Sequence, residues 1–129
     1  MADSHHGHTV LDALAPLGRE LRQQIPAAYE SFRSLDQAVM QDGALSQRMK
    51  QVIALALAVI EQCDGCIASH AKSAAHAGAS REEVAEMLGV VLLMRGGPAT
   101  VYGPRAYSAF CESLDRMAPQ HDQAAPPPA

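Results

Sequence analysis

The sequence predicts an all-α fold, and three observations carry that expectation. Apolar residues recur at helical spacing along most of the chain, with no sustained alternation and no hairpin dipeptide between apolar runs. The chain is 48% hydrophobic but only 4% aromatic, without Trp, so a core must be built from Ala, Leu, Val, Ile and Met, a helix-leaning mixture. Start and stop signals punctuate the helical stretches. A chain of 129 residues suits one domain, here a bundle of about six helices.

The elements follow in order. The opening MADSHHGHTV is polar and carries His5, His6 and His8. Residues 1–8 are expected to be a disordered tail, with adventitious metal binding as the functional alternative, and the folded domain is expected over 9–117. Val10, Leu14, Leu17 and Leu21 share a face of a first helix from Val10 to Gln23. Pro26 suits the first turn of a second helix containing Tyr29, Phe32, Leu35 and Val39, which Asp42-Gly43 ends. Ser46 caps a third helix that runs to about Cys63. This helix is apolar on nearly every face from Val52 to Ile60, a pattern that calls for burial on all sides. In so small a domain, a neighbouring subunit most easily covers one of them.

Asp64 is expected to cap a fourth helix, Gly65 to Ala77, which Gly78 closes. Ser80 and Glu83 form a capping box for a fifth, REEVAEMLGVVLLM, and Gly96-Gly97-Pro98 stops it. A last helix covers Ala99 to Met117. The Pro/Ala-rich end, residues 118–129, is expected to be disordered. Met87 and Met94 read as core filler, Cys111 as a buried small hydrophobe, and His76 as a surface residue.

The formal net charge of -4 argues against nonspecific nucleic-acid binding and gives no attraction to an anionic membrane. The longest apolar run, Val52 to Ile60, is far short of the roughly 20 residues of a membrane-spanning helix. No secretory signal pattern is visible. The expectation is a cytoplasmic protein. In that compartment thiols are kept reduced, so a Cys-x-x-Cys points to catalysis or metal binding more than to a structural staple.

That motif lies in EQCDGCIASH, from Glu61 to His70. If Asp64 caps the fourth helix, Cys66 sits in its first turn, where unpaired amide hydrogens and the positive dipole end stabilise a thiolate. His70 follows one turn later on the same face, within reach of the thiol proton. Cys63 lies across the Asp64-Gly65 break, and Gly65 gives the backbone freedom to bring the two sulfurs together. The stretch reads as an attacking thiol (Cys66), a resolving thiol (Cys63) and a base (His70). Two other readings stay open. Cys63, Cys66 and His70 could supply three zinc ligands with Asp64 or water as the fourth, although no second ligand pair exists. The two thiols could also be inert and buried. A thioredoxin-like fold needs a strand before the motif, and the preceding segment is helical.

From about Leu45 to Tyr102 the chain resembles the AhpD-like, carboxymuconolactone decarboxylase superfamily. The matching pieces are VIALALAVIEQCDGCIASHAKSA and GASREEVAEMLGVVLLMRGGPATVYG. The resemblance implies an all-helical homo-oligomer, trimer or hexamer, with the short protomer favouring six copies and the active site close to subunit contacts. It implies a peroxidase that needs no cofactor and no metal. In such an enzyme Cys66 attacks a peroxide, Cys63 closes the disulfide, His70 relays a proton and a separate thiol reductant restores the pair. Two positions depart from the pattern. The relay glutamate, twelve residues before the first cysteine, is Gln51 here, and a histidine between the cysteines is Gly65. Glu61 is the substitute carboxylate that adjacency suggests. The alternative to the peroxidase is a non-peroxidatic helical oligomer that is redox-responsive or holds a metal; the superfamily's decarboxylase branch does not use paired cysteines, which ranks that activity lower still. Tyr102, Arg105 and Tyr107 are candidates to line a pocket.

Overall fold

The computed structural model describes residues 6–119. They form six helices and, among the described residues, no strand: α1 (His8–Gln24), α2 (Pro26–Val39), α3 (Gln47–Ile60), α4 (Asp64–His76), α5 (Arg81–Arg95) and α6 (Ala99–Met117). His5 and residues 120–129 lie outside the described residues. His6 and Gly7 form a turn and His8 opens α1, one residue ahead of the expected domain start. The reason is an anchor: His8 Nδ1 lies 3.3 Å from the Glu112 carboxylate on α6, which also meets Arg116 at 3.3 Å.

Local chemistry sets the helix ends. Pro26 begins α2, where its missing N–H costs nothing. The Ser46 hydroxyl accepts the Met49 N–H, and Ser80 and Glu83 form both halves of the capping box. After α4, Gly78 takes φ +91 while Gly78 N and Ala79 N bond back to Ala75 O and Ala74 O. The same two-bond closure ends α3, from Gln62 N to Val59 O and Cys63 N to Ala58 O. There the left-handed residue is Gln62 at φ 54, a conformation that favours glycine. That turn delivers Cys63 to the start of α4.

The core is small in its residues and tight in its packing. Leu55 and Val59 of α3, Ile67 of α4, Val84 of α5 and Phe110 of α6 are essentially fully buried. Between them α4 presents Ala68, Ala71, Ala74 and Ala75, all buried, and packs most extensively on α3 and α6. Alanine faces let helix axes approach closely. Met87 packs against this core, but Met94 is 74% exposed. The core-filler reading of Met94 is therefore corrected: it lies in the last turn of α5, turned away from α3 and α6.

The α1–α2 hairpin is different. Neither helix buries a residue fully. α1 leans on α4, and α2 rests mainly on α1. The far end of α2 is held by one cation: Lys50 Nζ of α3 donates to Val39 O at 2.8 Å and Gln41 O at 2.5 Å. A cation on terminal carbonyls satisfies orphan acceptors and complements the helix dipole. Lys50→Met should therefore lower hydrogen-exchange protection of α2 amides several-fold, corresponding to about 0.3–1 kcal/mol, while α4 amides keep theirs. Equal loss in both helices would show that Lys50 supports the whole bundle.

Candidate functional site

Cys63 and Cys66 form a disulfide, with Cα atoms 5.2 Å apart. The sequence reading assigned the α4 cap to Asp64; the structure corrects it. Cys63 is the N-cap, and its Sγ accepts the Cys66 N–H at 3.2 Å. The sulfur occupies the position where a side-chain oxygen usually receives the orphan amide. Asp64 is instead the first residue of α4, its carboxylate favourably placed at the positive end of the dipole. It faces Arg105 of α6 at 3.7 Å, and that guanidinium stacks over the Tyr102 ring at 4.7 Å. Cys66 lies in the first turn as expected, with Cys63 immediately before the helix.

Gly65, between the cysteines, has a packing reason. A Cβ there would meet Leu14 Cδ1 of α1 at 2.8 Å, closer than real Cβ contacts come. The first helix thus leans over the disulfide loop where the related pattern carries a histidine side chain.

His70, one turn after Cys66, is half-buried, and its Nδ1 lies 3.0 Å from Oε1 of Gln51 on α3. Gln51 is itself a buried polar residue. With the amide oxygen facing the ring, Nδ1 donates and Nε2 keeps its lone pair. Burial holds the imidazole below its ordinary value of 6.5, and the Asp36 carboxylate works the other way. His70 is therefore neutral near pH 7, with a free basic nitrogen. A glutamine in this position orients the ring but cannot carry charge.

His70 opens on a cleft of about 680 Å³ between α4 and the α1–α2 hairpin. Arg22, Tyr29, Phe32, Asp36 and Ser69 line it with the imidazole. Glu61 is elsewhere: it is the exposed C-cap of α3 and makes no hydrogen bond or ion pair with His70. Tyr107 lines a separate apolar groove of about 540 Å³ between α5 and α6, with Leu88 and Leu92. Arg105 and Tyr102 line neither; they pair with each other beside Asp64. His76 is exposed and its Nδ1 donates to Lys72 O at 2.9 Å. Cys111 is half-buried on the core's edge. Among the described residues no group of three or more His, Cys, Asp and Glu side chains is arranged to hold a metal ion, and no helix is long and apolar enough to cross a membrane.

The model of the carboxymuconolactone decarboxylase family matches residues 26–109, which hold the disulfide, Gln51 and His70. The chain belongs to that family. The Cys63–Cys66 pair fits its AhpD-like superfamily. An apo crystal structure of a carboxymuconolactone decarboxylase family protein from Legionella pneumophila superposes with a TM-score of 0.79 at 37% identity, covering 83% of this chain and 96% of that one. An uncharacterized protein of Cupriavidus necator is 40% identical over 90 residues, 70% of this chain and 80% of its own length. Uncharacterized protein 4 in the cox locus of Paracoccus denitrificans is 39% identical over 83 residues, 64% of this chain and 75% of its own. The family match begins at α2, so α1, with Leu14 over the disulfide loop, lies outside it.

The spacing of Cys63, Cys66 and His70 was legible from the motif. The Gln51 contact was legible only through the family's register. Asp36 and the contact of Leu14 with the disulfide loop gave no signal, because each comes to the site from another helix.

Gln51→Glu tests the electrostatics. A carboxylate against Nδ1 favours the imidazolium, so the His70 titration followed by NMR should move upward from its lowered position. The stability sign follows. In the native protein, His70 titrates below the unfolded value of 6.5, so its contribution to stability is lost as pH falls from about 6.5 through the folded value. If Gln51→Glu carries the titration above 6.5, the order reverses: stabilisation is full below the unfolded value and is lost as pH rises through the folded one. A His70 titration unmoved by the substitution would show that the 3.0 Å contact has no electrostatic role.

Proposed function

We propose that this protein is a thiol-dependent hydroperoxide reductase of the AhpD-like type, with Cys66 attacking and Cys63 resolving. The observation that carries the reading is the Cys63–Cys66 disulfide at the start of α4 with a neutral His70 one turn further on. In the reduced protein, His70 Nε2 takes the Cys66 proton. The thiolate attacks the peroxide O–O bond, becoming a sulfenic acid and releasing alkoxide, which the imidazolium protonates to the alcohol. The Cys63 thiol then condenses with the sulfenic acid, expelling water and forming the disulfide. An external dithiol gives up two electrons and two protons by thiol–disulfide exchange and restores the pair. A cytoplasmic setting, rich in thiol reductants, matches this cycle.

The reading includes a homo-oligomer, six copies favoured over three. Met49, Ile53 and Leu57 form an exposed apolar stripe on α3, and Phe32, Leu35 and Val39 form another on α2. Contiguous apolar surface of this kind marks an interface. The α3 stripe is the face that the sequence reading left for a neighbouring subunit.

Protein reduced with dithiothreitol should consume cumene hydroperoxide over many turnovers. Cys66→Ser should abolish consumption. Cys63→Ser should allow a single turnover and leave a sulfenic acid that dimedone traps. Sedimentation should give six protomers. Absence of consumption in the native protein, or consumption that survives Cys66→Ser, would overturn the peroxidase reading.

A further inference from the structure

A base that takes a thiol proton becomes a cation for the length of the step. Around His70 the surroundings oppose that cation: the ring is half-buried, and its direct partner, Gln51, is neutral. The charge that offsets the imidazolium must come from the open side of the ring. The cleft of about 680 Å³ on that side has two carboxylates in its lining, Glu30 and Asp36, both on α2. Glu30 faces Arg33 at 3.8 Å. Asp36 makes no ion pair among the described residues. Its place is fixed from behind, because Lys50 holds the carbonyls of Val39 and Gln41 at the end of the same helix. Lys50 and Gln51 are consecutive on α3, so one turn of that helix positions both the ring and the helix that faces it.

We propose that Asp36 is the positioning carboxylate of the His70 relay, acting across the α2–α4 cleft to stabilise the imidazolium formed when His70 takes the Cys66 proton. This rests on the thiol-peroxidase reading for its chemistry, and adds a residue that neither the motif nor its spacing contains. The titratable and polar groups that line the cleft with His70 are Asp36, Glu30, Arg33 and Tyr29 from α2, Arg22 from α1 and Ser69 beside it on α4, and Gln51 of α3 contacts the ring directly. Arg33 is engaged by Glu30, and Arg22 lies over the Tyr29 ring at 5.7 Å. Asp36 is left as the carboxylate that acts on the imidazole. No oxidant enters this step: one proton passes from Cys66 Sγ to His70 Nε2, and Asp36 keeps its own charge throughout.

The test compares native protein with Asp36→Asn and Asp36→Glu, using reduced full-length chains. Asp36 is exposed, so neither change disturbs the core. The first readout is the His70 titration by NMR, assigned by its absence in His70→Ala. The second is the pH profile of Cys66 alkylation in a Cys111→Ser background, with Cys63 and Cys66 adducts resolved by peptide mass spectrometry. Asp36→Asn should lower the His70 midpoint and slow Cys66 alkylation near neutral pH several-fold. Asp36→Glu should restore both. A His70 midpoint that does not move in Asp36→Asn overturns the proposal. So does a midpoint that moves while the Cys66 profile stays fixed. Peroxide consumption, measured in parallel, separates the two readings: native protein that fails to consume peroxide but shows the coupled shifts sinks the peroxidase reading and leaves Asp36 as the partner of His70.

Discussion

The arrangement around the cysteines depends on how closely α4 can approach its neighbours, and alanine sets that approach. Ala68, Ala71, Ala74 and Ala75 give α4 a face with almost no side-chain thickness, and α3 and α6 close on it. Gln51 on α3 reaches His70 on α4 across this close approach. A larger residue at Ala71 or Ala74 would push α4 outward. The hydrogen bond to the imidazole would be among the first to break.

Much of the fold was legible because its signals are local. The Ser80–Glu83 capping box, Pro26 at the start of α2, Gly78 after α4 and the Gly96-Gly97-Pro98 break each act within one turn of chain. The cap of α4 was misread for a reason equally local. Asp64 is the residue type that normally caps, but the turn at Gln62 advances Cys63 into that place, and a sulfur took the amide. Met94 was misassigned because apolar character and helical spacing do not tell a core from a surface awaiting a partner. The same ambiguity makes α2 read as an ordinary amphipathic helix, although it buries none of its residues fully within the chain.

The site was legible in its thiols and imidazole and opaque in what surrounds them. Cys63, Cys66 and His70 belong to one helix and its cap, so spacing alone relates them. The side chain that orients His70 comes from α3 and the carboxylate that opposes the effect of its burial from α2, 19 and 34 positions earlier in the chain. Periodicity marks neither of them. Adjacency pointed to Glu61, yet a helix C-cap after α3 carries that carboxylate into solvent.

The disulfide closes one of the smallest loops a chain can make, with only Asp64 and Gly65 between its ends. Chain-entropy stabilisation grows with loop size, and for so short a ring it comes to about 2 kcal/mol. The bundle's integrity is vested elsewhere, in the packing of α3, α4 and α6. Were the pair to cycle as proposed, each reduction would cost the fold about 2 kcal/mol of chain-entropy stabilisation, and the helix packing would have to carry the bundle through it.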